Sequence, residues 1–428
     1  MNLPREHALR EPLNREIHAR PPESLAAPLS IAYLVLLSSG NRASEERDHV
    51  GHLVSAHDLE PPLPGESHYS VALPDFQLKV EWHTEFTRYM VIGPGADPGK
   101  PPDAVLELLP EGWVAGLPGE LIFAALCGVF PGASERDELA LAGQRFGASY
   151  VGASISDGAA TAYTDFELRA DRFNHFLVFD HGTTEQQLGR IVQRLLEINT
   201  YWILALLALP VAREVGPQLA EQEGQLQRVS LALASRAAAD DDSVLLRALT
   251  DLEADVSSHA AQHAYRFSAS RAYYALVTRR VRDLRERRLP GLQTYAEFTE
   301  RRLAPAMATC QSVESRQANL LEAAGRATRL LATRVSVNQE LQNQTLLESM
   351  NRRTEMQLRL QQTVEGLSVA AITYYVVGLV SYLVSGAHGV ALPVDGDVIT
   401  AVSVPLVLGL VAWGLRRARR RLTGEEGA

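Results

Sequence analysis

Three polar residues at alternate positions, Glu81, His83 and Glu85, form the first group in the sequence that could carry out chemistry. They lie in residues 76–92, where apolar and polar residues alternate as in a β-strand that follows a turn at Pro74-Asp75. Side chains two residues apart share one face of a strand, so the three would lie in a row. Two carboxylates beside an imidazole could bind a divalent cation or transfer protons. The alternative interpretation is a polar strand face paired with neighbouring arginines.

A second polar group lies in the proline-rich N-terminal segment, where Glu16, His18 and Arg20 also alternate. In an extended segment these side chains would point to one side. One hypothesis is that the segment adds to the sheet as an edge strand and brings His18 near His83. The alternative is an arm that salt bridges hold against the domain.

Motifs of the common enzyme classes are missing from the sequence. No glycine-rich phosphate loop follows a predicted strand, and there is no Gly-x-Ser-x-Gly motif. The two cysteines, Cys127 and Cys310, do not form a metal-binding or redox spacing. The net charge of −10 argues against a nucleic-acid-binding protein, which would need a basic face. We therefore predict no enzymatic activity and no cofactor, and a divalent cation is the one candidate ligand.

Two C-terminal segments, residues 366–386 and 398–415, are long and apolar enough to cross a membrane. The linker between them has no Lys or Arg, whereas arginines flank both segments on their outer sides. By the positive-inside rule this pattern predicts a transmembrane hairpin with both chain ends in the cytoplasm. We predict a protein of the bacterial inner membrane with two transmembrane helices, whose partner is the lipid bilayer.

Small and hydroxyl-bearing residues recur in the first apolar segment at spacings of three and four, which places them on one helix face. Such a face favours close packing on the second segment or on a neighbouring subunit. The alternative is the lining of a pore, with Glu365 at its cytoplasmic end. The residues of this face are Ser368, Ala371, Tyr375, Gly378, Tyr382 and Ser385.

The segments before the hairpin predict an α+β protein. Strand and helix patterns alternate up to residue 212: three strands are predicted within residues 150–180, and a helix begins at Thr183 or Thr184. The following region is almost entirely helical, with a coiled-coil-like seam at Leu320, Ala324, Ala327, Leu331, Val335 and Leu341. The predicted domains are an extended arm (1–28), a cytoplasmic α/β domain (29–212), a helical stalk (213–363), the transmembrane hairpin (364–417) and a basic cytoplasmic tail (418–428).

Several blocks of the sequence resemble a proteobacterial domain-of-unknown-function family of membrane-anchored proteins. The resemblance implies a cytoplasmic body with a membrane anchor, and it implies no substrate. The blocks are "LNREIHARPPESL", "VEWHTEFTRY", "GRIVQRLLEINTYWILALLALPVARE", "RFSASRAYYALV" and "QLRLQQTVEGLSVAAITYYVVGLVSYL".

The order of domains also resembles that of CorA-type divalent-cation channels, in which a long helix leads from a cytoplasmic domain into the membrane. The Gly-Met-Asn tripeptide typical of those channels is missing between the two apolar segments. We therefore expect a membrane-anchored scaffold or regulatory protein that forms homo-oligomers and binds an unknown cytoplasmic protein partner. The alternative is an oligomeric ion channel or divalent-cation transporter of CorA-like architecture.

Overall fold

The computed structural model describes residues 4, 6–11, 13–14, 21–38, 42–97, 102–234, 242–386 and 396–423. Its contacts divide the chain into two compact units, of which the first comprises Met1–Ala237 and Arg247–Thr328. The second unit comprises Ala238–Leu246 and Arg329–Ala428. The first unit holds a β-sheet with helices packed on it, and the described part of the second is helical. The predicted α+β class, with an N-terminal sheet domain and a long C-terminal helical region, is confirmed.

The first unit is built on a mixed sheet with nine strands in the described part of the chain, in the order β2-β3-β4-β1-β5-β8-β7-β6-β9. The β5–β8 pair is parallel, and the other pairs are antiparallel. The strands are β1 (Leu29–Leu37), β2 (His68–Ala72), β3 (Gln77–Trp82), β4 (Phe86–Pro94), β5 (Glu120–Pro131), β6 (Val151–Ile155), β7 (Ala160–Thr164), β8 (Asn174–Asp180) and β9 (Arg287–Arg288).

Helices pack on the sheet, and turns and loops join the elements. Two short 3-10 helices, Pro102–Leu108 and Ser156–Gly158, lie between strands. The α-helices are α1 (Ala43–Ser55), α2 (Glu135–Phe146), α3 (Glu185–Leu206), α4 (Ala208–Ala234), α5 (Asp242–Asp283), α6 (Tyr295–Gly386) and α7 (Gly396–Thr423).

The central strand β1 shows why the sheet is buried on both faces. Its sequence "LSIAYLVLL" has apolar residues at almost every position, as a strand covered on both sides requires. Ile31 and Tyr33 enter a core formed with α3, α5 and α6, while Ala32 and Leu34 enter a second core formed with α1 and the first 3-10 helix. The alternation of a β-strand therefore divides one apolar run between two cores.

The structure corrects the predicted strand over residues 76–92. Those residues form two antiparallel strands, β3 and β4, joined by a tight turn at residues 83–85 in which the His83 amide donates to the Phe86 carbonyl at 2.9 Å. Trp82 and Phe86 stand in the same phase of the alternation on the two sides of this turn, so the pattern predicts one strand. His83 and Glu85 are consequently turn residues, and only Glu81 lies on a strand.

The other predicted elements of the first unit are present. The three strands predicted within residues 150–180 are β6, β7 and β8. The predicted start of α3 is confirmed by a capping box, in which the Thr184 side chain accepts from the Gln187 amide and the Gln187 side chain accepts from the Thr184 amide. In the predicted helical seam, Leu320 packs inside the chain against α4 and α5, whereas Leu341 is 55% exposed.

Candidate functional site

Glu81 lies in a buried group of charges and does not form a solvent-facing row. It is 2% exposed, and its nearest partner is Arg88, directly opposite it on β4. Lys79, on the same face of β3, places its Nζ 3.0 Å from Glu81 Oε1. Antiparallel register explains the contact between Glu81 and Arg88, because side chains of directly paired residues lie side by side on one face.

The charges continue from the sheet into two helices. Arg88 Nη1 is 3.2 Å from Glu197 Oε1 on α3, and Arg280 Nε on α5 is 2.7 Å from Glu197 Oε2. Gln193, one turn before Glu197, donates to the same carboxylate at 2.8 Å. We call Lys79, Glu81, Arg88, Glu197 and Arg280 the buried ion network. It joins β3, β4, α3 and α5 by alternating charges.

The electrostatics keep Glu81 and Arg88 ionised near neutral pH. Burial raises the pKa of Glu81, but the charge of Arg88, a hydrogen bond with His83 and the charge of Lys79 outweigh it, so the pKa is lowered well below the usual glutamate value. Burial lowers the pKa of Arg88, but Tyr33, Glu81 and Glu197 raise it more, and the net pKa lies well above the usual arginine value. Groups with such pKa values hold structure together, and they do not exchange protons at neutral pH.

A cavity of about 10 Å³ lies beside the network, lined by Tyr33, Lys79, Glu81, Arg88, Met90 and Gln193. This volume suits about one water molecule. It is too small for an organic substrate, because ligand pockets are usually more than ten times larger.

The other two members of the predicted row point to different surroundings. The His83 ring stacks on Phe86, with centroids 4.3 Å apart, and its Nε2 is 3.7 Å from Glu81 Oε2. Glu85 instead binds α5, where Arg266 lies 2.5 Å away and the Tyr273 hydroxyl donates at 2.7 Å. Pairing with arginines, the alternative given by the sequence, therefore describes Glu81 and Glu85 better than a metal-binding row does. Unlike the polar strand face of that alternative, Glu81 is buried.

Metal-binding geometry is missing from the part of the chain that the structure describes. No group of three or more His, Cys, Asp or Glu side chains there could hold a metal ion. The predicted candidates His18 and Arg20, with Glu16, lie outside the described residues. The proposed contact between His18 and His83 therefore stays a prediction.

Residues 21–28 of the N-terminal arm contact both α3 and β3, and we call them the strap. The Leu25 amide donates to the Glu185 carbonyl at 3.1 Å, and the Lys79 ammonium donates to the Pro21 carbonyl. Glu23 accepts a hydrogen bond from Gln77 at 2.5 Å and lies 3.8 Å from Lys79. Lys79 thus connects the strap to the buried ion network.

Sequence reasoning missed four members of the network: Lys79, Arg88, Glu197 and Arg280. One signal was present, because Lys79 and Glu81 alternate with apolar residues in the strand "QLKVEW" and Glu197 stands between the apolar residues Leu196 and Ile198. Charges inside apolar patterns indicate buried ion pairs, since an unpaired buried charge is costly. The sequence could not show which charges meet, because Arg88 and Glu197 are 109 positions apart.

Three helical regions of the described residues are long and apolar enough, by length and composition, to cross a membrane. In Glu185–Ala234 the most apolar window is 67% buried inside the protein, so the fold itself covers most of it. The windows in Tyr295–Gly386 and Val398–Leu415 have mean hydropathies of 1.9 and 2.2, and only 6% and 0% of them are buried. These two windows belong to the two segments of the predicted hairpin.

The predicted small and hydroxyl-bearing face of the first segment is only partly covered by α7. Tyr375 and Tyr382 are 72% and 81% exposed, while Thr373, on a neighbouring face, is 6% exposed. A groove of about 740 Å³ between α6 and α7 is bordered by Gly378, Tyr382 and Ser385 of the predicted face. Its other lining residues include Thr373, Tyr374, Ser381 and Thr400. Ser368 and Ala371 are exposed, and Glu365 is half-buried.

Comparison with known proteins gives one assignment that covers almost the whole chain. A family model described as "Protein of unknown function (DUF3422)" matches residues 5–422. A search of curated proteins found no match.

Proposed function

The chain belongs to the DUF3422 family of proteins of unknown function, and we propose from its structure that it is a membrane-anchored, non-enzymatic scaffold or regulatory protein. Its body would lie in the cytoplasm of a bacterium, and two C-terminal helices would hold it in the inner membrane. The proposal has two parts, an anchor and a body that binds other molecules without transforming them.

The observation that carries the anchor is the exposure of the two apolar segments. Leu367, Leu379 and Leu383 in the first segment are each more than 60% exposed. In water this exposure would oppose solubility, because exposed apolar patches of such size are rare on soluble proteins. In a bilayer it is favourable, and at about 1.5 Å per residue a segment of 21 residues (366–386) reaches about 30 Å, the thickness of the hydrocarbon core.

The charge pattern supports a cytoplasmic body. Residues 387–397 contain no Lys or Arg, whereas Arg352, Arg353 and Arg359 precede the first segment and Arg416 and Arg417 follow the second. Positively charged flanks remain on the cytoplasmic side of bacterial inner membranes. The short linker would therefore be the only part of the hairpin region that reaches the other side.

The buried ion network supports a non-enzymatic body. Its charges are paired with one another, and the adjoining cavity has room for about one water molecule. A buried network of this kind fixes the arrangement of strands and helices. We therefore propose binding of a cytoplasmic protein as the role of the body.

One observation favours a second candidate, an oligomeric ion channel of CorA-like architecture. The groove between α6 and α7 is lined by six hydroxyl-bearing side chains, which could coordinate ions if several subunits surrounded an axis: Thr373, Tyr374, Ser381, Tyr382, Ser385 and Thr400. Uptake of divalent metals by proteoliposomes tests this candidate. A flat trace across several metals would reject it.

The anchor is tested by extraction and by labelling of the full-length chain. We expect alkaline carbonate washes to leave the protein in the membrane pellet, and release into the supernatant would reject the anchor. Cysteine labelling then tests the topology, since the native Cys127 and Cys310 are 1% and 3% exposed and give little background. A membrane-impermeant maleimide should label Ala391→Cys from the periplasmic side and Gln342→Cys only after lysis. Equal labelling of both before lysis would reject the orientation.

A further inference from the structure

The section of α6 just before the membrane segment has no covering partner among the described residues of the second unit. Every residue from Gln339 to Val364 is exposed. Many of these side chains are large and apolar, with exposures between 49% and 64%: Leu341, Leu346, Leu347, Met350, Met356, Leu358, Leu360 and Val364. An isolated helix with this composition is unfavourable in water, so part of this surface requires a partner.

A heptad pattern selects one face of this helix. Positions 346, 350, 353, 357, 360, 364 and 367 follow one another at spacings of four and three. Five of these seven positions are apolar, at Leu346, Met350, Leu360, Val364 and Leu367. Side chains spaced in this way form the continuous stripe by which one helix packs on another in a coiled coil. We call these seven positions the heptad stripe.

The charged residues lie on the other side of the helix. Glu348, Arg352, Glu355 and Arg359 also follow one another at spacings of four, three and four. With 3.5 residues per turn this row lies opposite the heptad stripe. Each glutamate precedes an arginine by four residues, the favourable order for pairs on an exposed helix face. The row therefore fits a face turned to water.

The balanced charge of this row helps to identify the partner. A helix that lies on an anionic membrane surface usually carries an excess of Lys and Arg on its polar face. Here two glutamates balance two arginines, so the helix has no such excess. The positions flanking the stripe, 347, 349, 354, 356, 361 and 363, carry no charge, and a second identical helix would meet no like-charge repulsion there.

We propose that residues 346–367 of α6 form a parallel, in-register coiled coil with the same residues of a second copy of this chain. The parallel direction rests on the proposed anchor, because both copies would enter one membrane from the same side. Arg353 and Gln357 form two polar layers in the stripe, and polar layers fix register at some cost in stability. The spacing continues through Ala371, Tyr374 and Gly378, so small residues would meet at two of these three positions in the first apolar segment.

Disulfide cross-linking in native membranes tests the contact. In a parallel pair, the two copies of residue 360 come within the range in which a disulfide forms. Leu360→Cys should therefore give a cross-linked dimer under mild oxidation. Arg359→Cys is the matched control, because residue 359 directly precedes residue 360 but lies in the charged row opposite the heptad stripe. Equal cross-linking of both variants, or of neither, would overturn the proposal.

The mass of the full-length protein in mild detergent gives a second readout. The double substitution Leu360→Asp and Val364→Asp should abolish the oligomer, while Arg359→Asp should leave its mass unchanged. A monomeric wild-type protein would overturn the coiled coil in favour of a helix lying on the membrane surface. Fractionation of the same cells separates the two proposals: a soluble wild-type protein rejects the anchor, whereas a membrane-bound protein without specific cross-linking rejects only the coiled coil.

Discussion

Replacement of Gly189 by alanine tests whether the strap is a structural part of the first unit. Gly189 lies on α3 directly beneath the strap, and an added Cβ would lie 1.7 Å from the carbonyl oxygen of Glu23 and 2.9 Å from its carbonyl carbon. Both neighbours are backbone atoms, so a side-chain rotation cannot relieve the clash. The strap or the helix must move.

The expected cost follows from the contacts that the strap would lose. Leu25 is 3% exposed, and its removal from the core costs about 1.5–3 kcal/mol. Loss of the hydrogen bond between the Leu25 amide and the Glu185 carbonyl costs about 1 kcal/mol more. Alanine has a higher helix propensity than glycine, which offsets about 1 kcal/mol of this cost. We therefore expect Gly189→Ala to lower the free energy of unfolding by about 1.5–3 kcal/mol.

Urea unfolding of the full-length protein in detergent, followed by tryptophan fluorescence, measures this change. Gly216→Ala is the matched control, because Gly216 lies inside α4 and an added Cβ meets no atom within 4 Å. The control should be as stable as the wild type or more stable by up to about 1 kcal/mol. If Gly189→Ala proved as stable as the control, the packing of the strap on α3 would be refuted.

Three further changes test the buried ion network and the start of α3. Arg88→Met should lower the free energy of unfolding by about 3–5 kcal/mol in denaturant titrations, because it leaves Glu81 and Glu197 buried without their shared partner; an unchanged midpoint would show that the network is not needed. Since the folded-state pKa of Glu81 is lowered, its contribution to stability is present above the usual glutamate pKa of 4.5 and lost as the pH falls toward the folded value. As the pH is lowered from 7 to 3, the melting temperature of Glu81→Gln should accordingly fall less than that of the wild type. An equal fall in both proteins would contradict the lowered pKa of Glu81. Thr184→Ala should cost about 1 kcal/mol in the same denaturant assay by removing the capping box. Thr183→Ala should cost little, because its hydroxyl has no hydrogen-bond partner among the described residues, and equal effects of the two would argue against the cap.

The elements that sequence reasoning predicted are those with local signals. The start of α3 contains the capping-box residues Thr184 and Gln187, and the turn between β6 and β7 contains Asp157-Gly158, both of which are local sequence patterns. The β3–β4 turn was missed because residues 83–85, His-Thr-Glu, contain none of the Gly, Pro, Asn or Asp residues that usually mark a hairpin turn. Long-range contacts can stabilise a turn without any of these marker residues, and such a turn is hard to detect from the local sequence.

The candidate site depended even more on distant contacts. Glu81 and Glu85 were predicted as members of one row, yet Glu81 meets Arg88 while Glu85 meets Arg266, which is 181 positions away. These charges could not be paired from local patterns, because pairing depends on the register of β3 and β4 and on the packing of α5 over the turn. The exposed apolar segments were predictable, since length and hydropathy require no partner.

The position of β9 in the chain has a consequence for synthesis at the ribosome. β9 ends at Arg288 and completes the sheet by pairing with β6, whereas the first apolar segment begins only at Gly366. All nine strands that the structure describes are therefore translated before any part of the proposed anchor, and domains fold from the N-terminus as they emerge. We expect the body of a nascent chain to become protease-resistant before the chain binds the membrane. Insertion of the C-terminal hairpin would then attach an already folded body to the membrane.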